Sequence, residues 1–179
     1  MTTKKSYRLT ASIILIILLS GVCATSAFDL KKDEPVVVAS VFLYKAKNSD
    51  DASIIFWNWL LKQTKLTAKT AAMHNIYQQD TAAVFYDLDD DGKREILGTH
   101  HASAIAGAGD CLLYILKPNE TSPSKYKLIS DDLYFDVYMP LQILEEKSGG
   151  YHKILAVSKA DGKQKIFAFD RRKNLYEEK

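Results

Sequence analysis

Five acids crowd into nine residues, Asp87-Leu-Asp89-Asp90-Asp91-Gly92-Lys93-Arg94-Glu95, between two apolar runs, Thr81–Tyr86 and Ile96-Leu97-Gly98. No core element accommodates such a density of like charge, so this stretch predicts a tight turn joining two strands. Asp87, Asp89 and Asp91 stand at alternate positions, Gly92 permits a sharp bend, and Glu95 follows. Alternate carboxylates on a curled loop converge on one point. A hard cation wants six to eight oxygens at about 2.3–2.6 Å, and the Lys93 carbonyl can add one. The spacing therefore predicts a calcium loop with ligands Asp87, Asp89, Asp91, Lys93 and Glu95, while Asp90 points to solvent. It is not an EF-hand, which closes with a bidentate Glu at its twelfth position. Counted from Asp87, the twelfth residue is Gly98 and the acid falls ninth. Magnesium fits less well, since it keeps several waters and few protein carboxylates. The competing reading is a solvated acidic hairpin turn without any metal.

Around this loop the chain divides into two dialects. Pro35–Tyr44 is apolar and β-branched and reads as a strand, with a helix from Val38 onward as the alternative. Asn48-Ser-Asp-Asp51 is a helix-start signal, and Ala52–Lys62 (ASIIFWNWLLK) reads as a helix buried on most sides. Thr67–Gln78 reads as a second helix. After Asp80 short apolar runs alternate with turn residues. These runs are Thr81–Tyr86, Glu95–Thr99, Cys111–Lys117, Tyr126–Ser130, Leu133–Tyr138, Leu141–Glu145, Lys153–Ser158 and Lys165–Asp170. Asp161-Gly162 between the last two is a strong hairpin signal. Connections this short exclude parallel crossovers. The expected fold class is α+β: N-terminal helices packed on a mainly antiparallel sheet meander, with the calcium loop in one hairpin.

The N-terminus carries a different message. Lys4, Lys5 and Arg8 precede an apolar stretch from Leu9 to Val22, and small residues follow at Ala24–Ala27. That order is a secretory signal peptide, and fourteen residues fall short of the about 20 a membrane span needs. An uncleaved anchor and lipidation at Cys23 are the weaker alternatives. The expected organisation is a signal peptide over 1–27 and a single α+β domain over 28–179, its calcium-loop β region at about 80–170. The first 27 residues hold three basic residues and no acid, so the rest has 21 basic residues against 22 acids. A sequence-independent nucleic-acid binder needs a basic surplus, which is missing. Removal of Cys23 leaves Cys111 without an intramolecular partner, as a buried, inert thiol.

Asp-x-Asp-x-Asp-Gly-x-x-Glu-Ile between two strands resembles the calcium loop of integrin-type FG-GAP (VCBS-like) repeats. The chain also resembles small secreted bacterial proteins with one such loop. Their Gly-rich, cysteine-flanked segment has its counterpart in Ala106-Gly-Ala-Gly-Asp-Cys111, their later strand in Met139–Leu144, and their Gly-aromatic turn in Gly149–Leu155. The likeness covers about residues 80–160. It implies calcium-supported structure outside the cytosol, with Asp87, Asp89, Asp91 and Glu95 as ligands. Ala106 stands where the group's first cysteine would be, so the local disulfide the likeness suggests cannot form.

Other candidates read blandly. His100 and His101 are adjacent, so on a strand they point to opposite faces and do not chelate together. His74 and His152 read as isolated surface or capping residues. Ser103 near His100, His101 and Asp110 lacks a nucleophile-elbow context. Gly107-Ala-Gly109 lacks the third glycine of a dinucleotide loop. The tyrosines of the β half read as strand formers, some of them candidates for a recognition surface. Arg171-Arg172-Lys173 ahead of Glu177-Glu178 reads as a solvated end. The expectation is a non-catalytic, exported (periplasmic or secreted) interaction protein with structural calcium. Its partner would be an envelope protein or glycan, with no nucleic acid and no membrane span after cleavage. The alternative is an inhibitor or immunity protein that blocks an envelope-targeted enzyme through the Gly98–Asp110 loop.

Overall fold

A computed structural model describes residues 34–46, 50–101, 110–121 and 125–179. The signal peptide expected over 1–27, with Cys23, lies outside the described residues. So do Ser103, Ala106, Gly107 and Gly109 of the Gly98–Asp110 loop. The fold occupies the compact unit that begins at Pro35.

Successive side chains of a strand face opposite sides, and here both sides are apolar. In β3 (Glu95–His100) Ile96 joins one hydrophobic cluster and Leu97 another. In β4 (Cys111–Pro118) Leu113 and Ile115 face one way, Tyr114 and Leu116 the other. Strands buried on both faces need a cover on each. One cover is α1 (Asp51–Thr64), whose Phe56, Trp57, Trp59 and Leu60 are buried in the cluster that holds Ile96 and Leu116. The other is a second sheet. The single meander expected from sequence is thus two five-stranded sheets, because one fourteen-residue helix covers only one face.

One sheet is ordered β2-β3-β4-β5, with β2 at Thr81–Tyr86 and β5 at Tyr126–Leu128; β6 (Leu133–Phe135) pairs with the other half of β4. The other is ordered β1-β7-β8-β9-β10, with β1 at Val37–Val41, β7 at Leu141–Ser148, β8 at Tyr151–Val157, β9 at Gln164–Asp170 and β10 at Leu175–Glu178. The pairings between these strands are antiparallel, and one isolated parallel bridge joins Ser130 to Tyr176. Asp161-Gly162 makes its hairpin, with Gly162 at φ +68°. Gly149 and Gly150 turn β7 into β8 with positive φ. A side chain at Gly149 would also meet Phe169, 2.8 Å from its ring.

Several element boundaries depart from expectation, three of them with a clear physical reason. The second helix, α2, spans only Ala68–Met73. Thr67 and Thr70 cap each other there, and Asn75 then enters the left-handed region (φ +56°) while the Ile76 amide turns back to the Ala71 carbonyl. The first strand stops at Val41 and gives way to a 3-10 turn over Leu43–Lys45. The solvated end expected after Asp170 is instead a hairpin. Arg171–Asn174 form its tip, with the Arg172 and Lys173 amides donating to Asp170 Oδ1 and Asn174 left-handed at φ +57°. β10 then carries Tyr176 fully into the core, where its hydroxyl donates to the His152 carbonyl at 2.7 Å. Its backbone also reaches the other sheet: the Tyr176 amide donates to Ile129 O at 2.7 Å and the Asp131 amide to Tyr176 O at 3.1 Å. Cys111 is buried and free. Among the described residues no helix is long and apolar enough to cross a membrane.

Candidate metal centre

The acidic segment joins β2 to β3 at one end of the two-sheet core, and its own side chains shape it. Asp87 accepts the Asp91 amide on Oδ1 (3.2 Å) and the Gly92 amide on Oδ2 (2.9 Å). Asp91 Oδ1 accepts the Lys93 amide at 2.7 Å. Asp90 and Gly92 both take positive φ, +59° and +83°, which folds the chain back within a few residues. The apolar residue between the first two acids, Leu88, is fully buried and pins the loop from below. Its amide donates to Glu95 Oε2 at 2.9 Å, and its carbonyl accepts the His152 amide at 2.8 Å.

These constraints bring together part of the expected ligand set. Asp87, Asp89 and Glu95 each offer a side-chain oxygen, all within 4.8 Å of one another, a grouping that could hold a metal ion. Asp91 stands outside that group. Its Oδ1 is committed to the Lys93 amide and its Oδ2 lies 3.9 Å from Lys117 Nζ. Lys93 enters the turn through its amide. Glu95 is fully buried. Asp89 Oδ1 and Glu95 Oε1 are buried oxygens with no hydrogen-bond partner. Buried polar atoms are normally satisfied, so two orphans on two acids of one converging group ask for a ligand.

Two residues at the site carried no sequence signal. Lys117, near the end of β4, donates from Nζ to Asp89 Oδ2 at 2.6 Å and to the hydroxyl of Tyr151, the first residue of β8. Opposite charge and the hydrogen bond from Lys117 overcome burial and hold the Asp89 carboxyl below its ordinary range. Burial dominates at Glu95 and pushes its carboxyl up from 4.5 to about 7, against the Leu88 amide bond. One acid is thus poised as a carboxylate, while the other retains its proton to near neutrality unless a cation is brought to it.

Asp90 does not simply face solvent. Its carboxylate pairs with Lys147 and lies 3.3 Å from His152 Nε2, and the Lys147 contact holds it below the usual range. His152 is accordingly no isolated surface residue. It is buried, and since a carbonyl only accepts, its Nδ1 donates to Leu144 O at 2.6 Å. The loop is therefore tied to both sheets, through Lys117 on β4 and through Tyr151, His152 and Lys147 on the β7–β8 hairpin. His100 is buried on β3, and burial lowers its pKa. His101 donates its amide to Asp80 O at 2.8 Å.

A different surface is exposed around the turn after β1. Phe42, Tyr44 and Tyr138 form a chain of ring contacts, 6.2 and 5.9 Å between centroids, with Met139 also exposed. Lys45 Nζ lies 4.3 Å from the Phe42 ring centre, and Lys159 Nζ 5.5 Å from that of Tyr138. Compared with known proteins, the chain matches no family model, and no curated protein or solved structure shows significant similarity to it.

Proposed function

We propose that this chain is a non-catalytic, calcium-binding interaction protein of the cell envelope in which the ion is structural. The observation that carries the reading is the pair of buried, unpartnered oxygens, Asp89 Oδ1 and Glu95 Oε1, within a group of three converging carboxylates. The donor set is oxygen only, which suits a hard cation and not zinc or copper. The irregular loop, the several carboxylates and the room for carbonyl and water ligands favour calcium over magnesium, which demands near-ideal octahedral geometry. The spacing of the acids resembles the FG-GAP type of loop, and the N-terminal sequence pattern supports export into a compartment where calcium is plentiful. The role follows from position: an ion here would join a loop that already bridges two sheets, so its binding energy becomes folding energy.

The interaction half of the reading rests on the exposed Phe42, Tyr44, Tyr138 and Met139, which lie outside the acidic loop. Exposed aromatics and methionine are among the residue types enriched at recognition surfaces.

The test is a calcium titration of the purified protein by calorimetry, paired with thermal melts. Calcium at 100 times its dissociation constant is expected to stabilise the fold by about 2.7 kcal/mol. Asp89→Ala is expected to lose that response. Equal melting of the wild type with calcium and with chelator would overturn the reading. A pull-down from envelope extract with the Tyr44→Ala, Tyr138→Ala double variant as control addresses the surface. Capture of a hydrolase whose activity the protein blocks would favour an inhibitor instead.

A further inference from the structure

Lys117 is the one cation hydrogen-bonded to the carboxylate group among the described residues, and it comes from a strand 28 positions away from Asp89. Its ammonium binds Asp89 Oδ2 at 2.6 Å, lies 3.9 Å from Asp91 Oδ2, and is steadied by the Tyr151 hydroxyl and the Tyr151 ring, whose centre is 4.9 Å away. Both of its anchors are fixed by tertiary structure: Asp89 is mostly buried, and Tyr151 stacks on Phe169 with ring centres 4.2 Å apart. The loop thus holds a monovalent cation of its own, tethered at the edge of the place where three acids meet.

We infer that Lys117 is a built-in counter-ion that sets the affinity of the acidic loop for a divalent cation. The inference rests on the calcium reading above and deepens it. Two oxygens of the group, Asp89 Oδ1 and Glu95 Oε1, are unpartnered and buried, and Glu95 is fully enclosed. An ion that takes these two shares Asp89 with Lys117 and feels its charge at close range. An ion that takes Asp89 Oδ2 must displace the ammonium altogether. In both geometries the lysine weakens divalent binding, because like charges a few ångströms apart in a partly buried site repel strongly. The same lysine neutralises part of the carboxylate repulsion when no divalent ion is present. The affinity of the site is thereby set below what its carboxylates alone would give.

The experiment compares calcium dissociation constants of the full chain and three variants by calorimetry. Lys117→Met, which keeps the aliphatic stem, is expected to bind calcium about tenfold more tightly or better. Lys117→Arg, which keeps the charge, is expected to stay within about threefold of wild type. A lysine that merely propped up the loop would give the opposite sign, with Lys117→Met binding more weakly. Tyr151→Phe removes only the hydroxyl that steadies the ammonium and is expected to tighten binding by a smaller factor; it serves if Lys117→Met does not fold. Wild type that binds calcium while neither Lys117→Met nor Tyr151→Phe binds more tightly overturns the counter-ion alone. Absence of calcium binding in every protein overturns the calcium reading and this inference with it.

Discussion

Glu95 is the residue on which the site turns, because it is the acid the fold encloses completely. Its carboxyl sits at about 7 in the folded chain against 4.5 for the free group. The native state therefore holds the proton through this window while the unfolded chain releases it. Without calcium, stability is expected to fall as pH rises from about 4.5 to 7 and to be level with respect to this group above that. On the calcium reading proposed above, the ion would take the ionised form, so its affinity is expected to rise over the same interval. Glu95→Gln should remove both effects. Thermal melts from pH 5 to 8 would show a flatter profile without metal and no response to calcium, with metal-free stability at pH 8 at least equal to wild type. A Glu95→Gln protein that calcium still stabilises would refute this assignment. The spacing of acids was legible because ligand convergence in a tight loop is a local property. Lys117 and Tyr151 were not, since a partner 28 or more positions away is chosen by strand pairing and leaves no mark on the loop itself. Asp90 misled for the same reason: its alternate position points it away from its neighbours, and only the folded β7–β8 hairpin supplies Lys147 and His152.

At the level of elements, the helix-to-sheet contact turns on a missing side chain. Gly98 lies in the middle of β3, and a Cβ added there would sit 2.7 Å from Phe56 Cδ2 and 2.9 Å from Cγ. Phe56 is in turn held by Trp59 and Tyr114, with ring centres 6.1 and 5.4 Å away, so it has little room to give. Gly98→Ala is expected to cost about 1–3 kcal/mol through overpacking, measured as a lower urea midpoint. An unchanged midpoint would mean that the helix slides freely on the sheet. A second link is polar: Ser53 on α1 accepts the Ala83 amide at 3.0 Å and donates to the Ala83 carbonyl, meeting the backbone of edge strand β2. Most elements were readable. The apolar runs, the Asp161-Gly162 turn and the start of α1 are local signals. Asp50 nonetheless caps without a side-chain hydrogen bond, so the acids at this helix start act through charge alone. The second helix was overread beyond Met73, where its run of good helix formers ends and the left-handed Asn75 turns the chain away.

The unit from Pro35 onward is an α/β/β stack whose two sheets share one core, and this was the least legible feature. Periodicity says that a strand is buried on both faces; it does not say whether helix or sheet lies opposite. The charged residues around Leu175 and Tyr176 hid the closing strand in the same way, since one aromatic among lysines and glutamates carries no period. Tyr176→Ala is expected to cost about 3–5 kcal/mol, a large share of a typical domain's stability of about 5–15 kcal/mol. Tyr176→Phe, which frees the His152 carbonyl, should cost about 1 kcal/mol. Denaturation curves for the pair would separate the ring from its hydroxyl, and near-equal curves for Tyr176→Ala and wild type would refute the central place given to this strand.

That strand also dictates when the protein can come into being. Tyr176 joins the sheet containing β9 to the segment at Ile129–Asp131, and it follows every other described core residue in the order of synthesis. A nascent polypeptide lacks the piece that locks its halves together until β10 has left the ribosome. Were the chain exported as proposed, machinery that threads extended chains would meet an unlocked substrate, and final closure, with any cation capture that depends on it, would fall to the far side of the membrane.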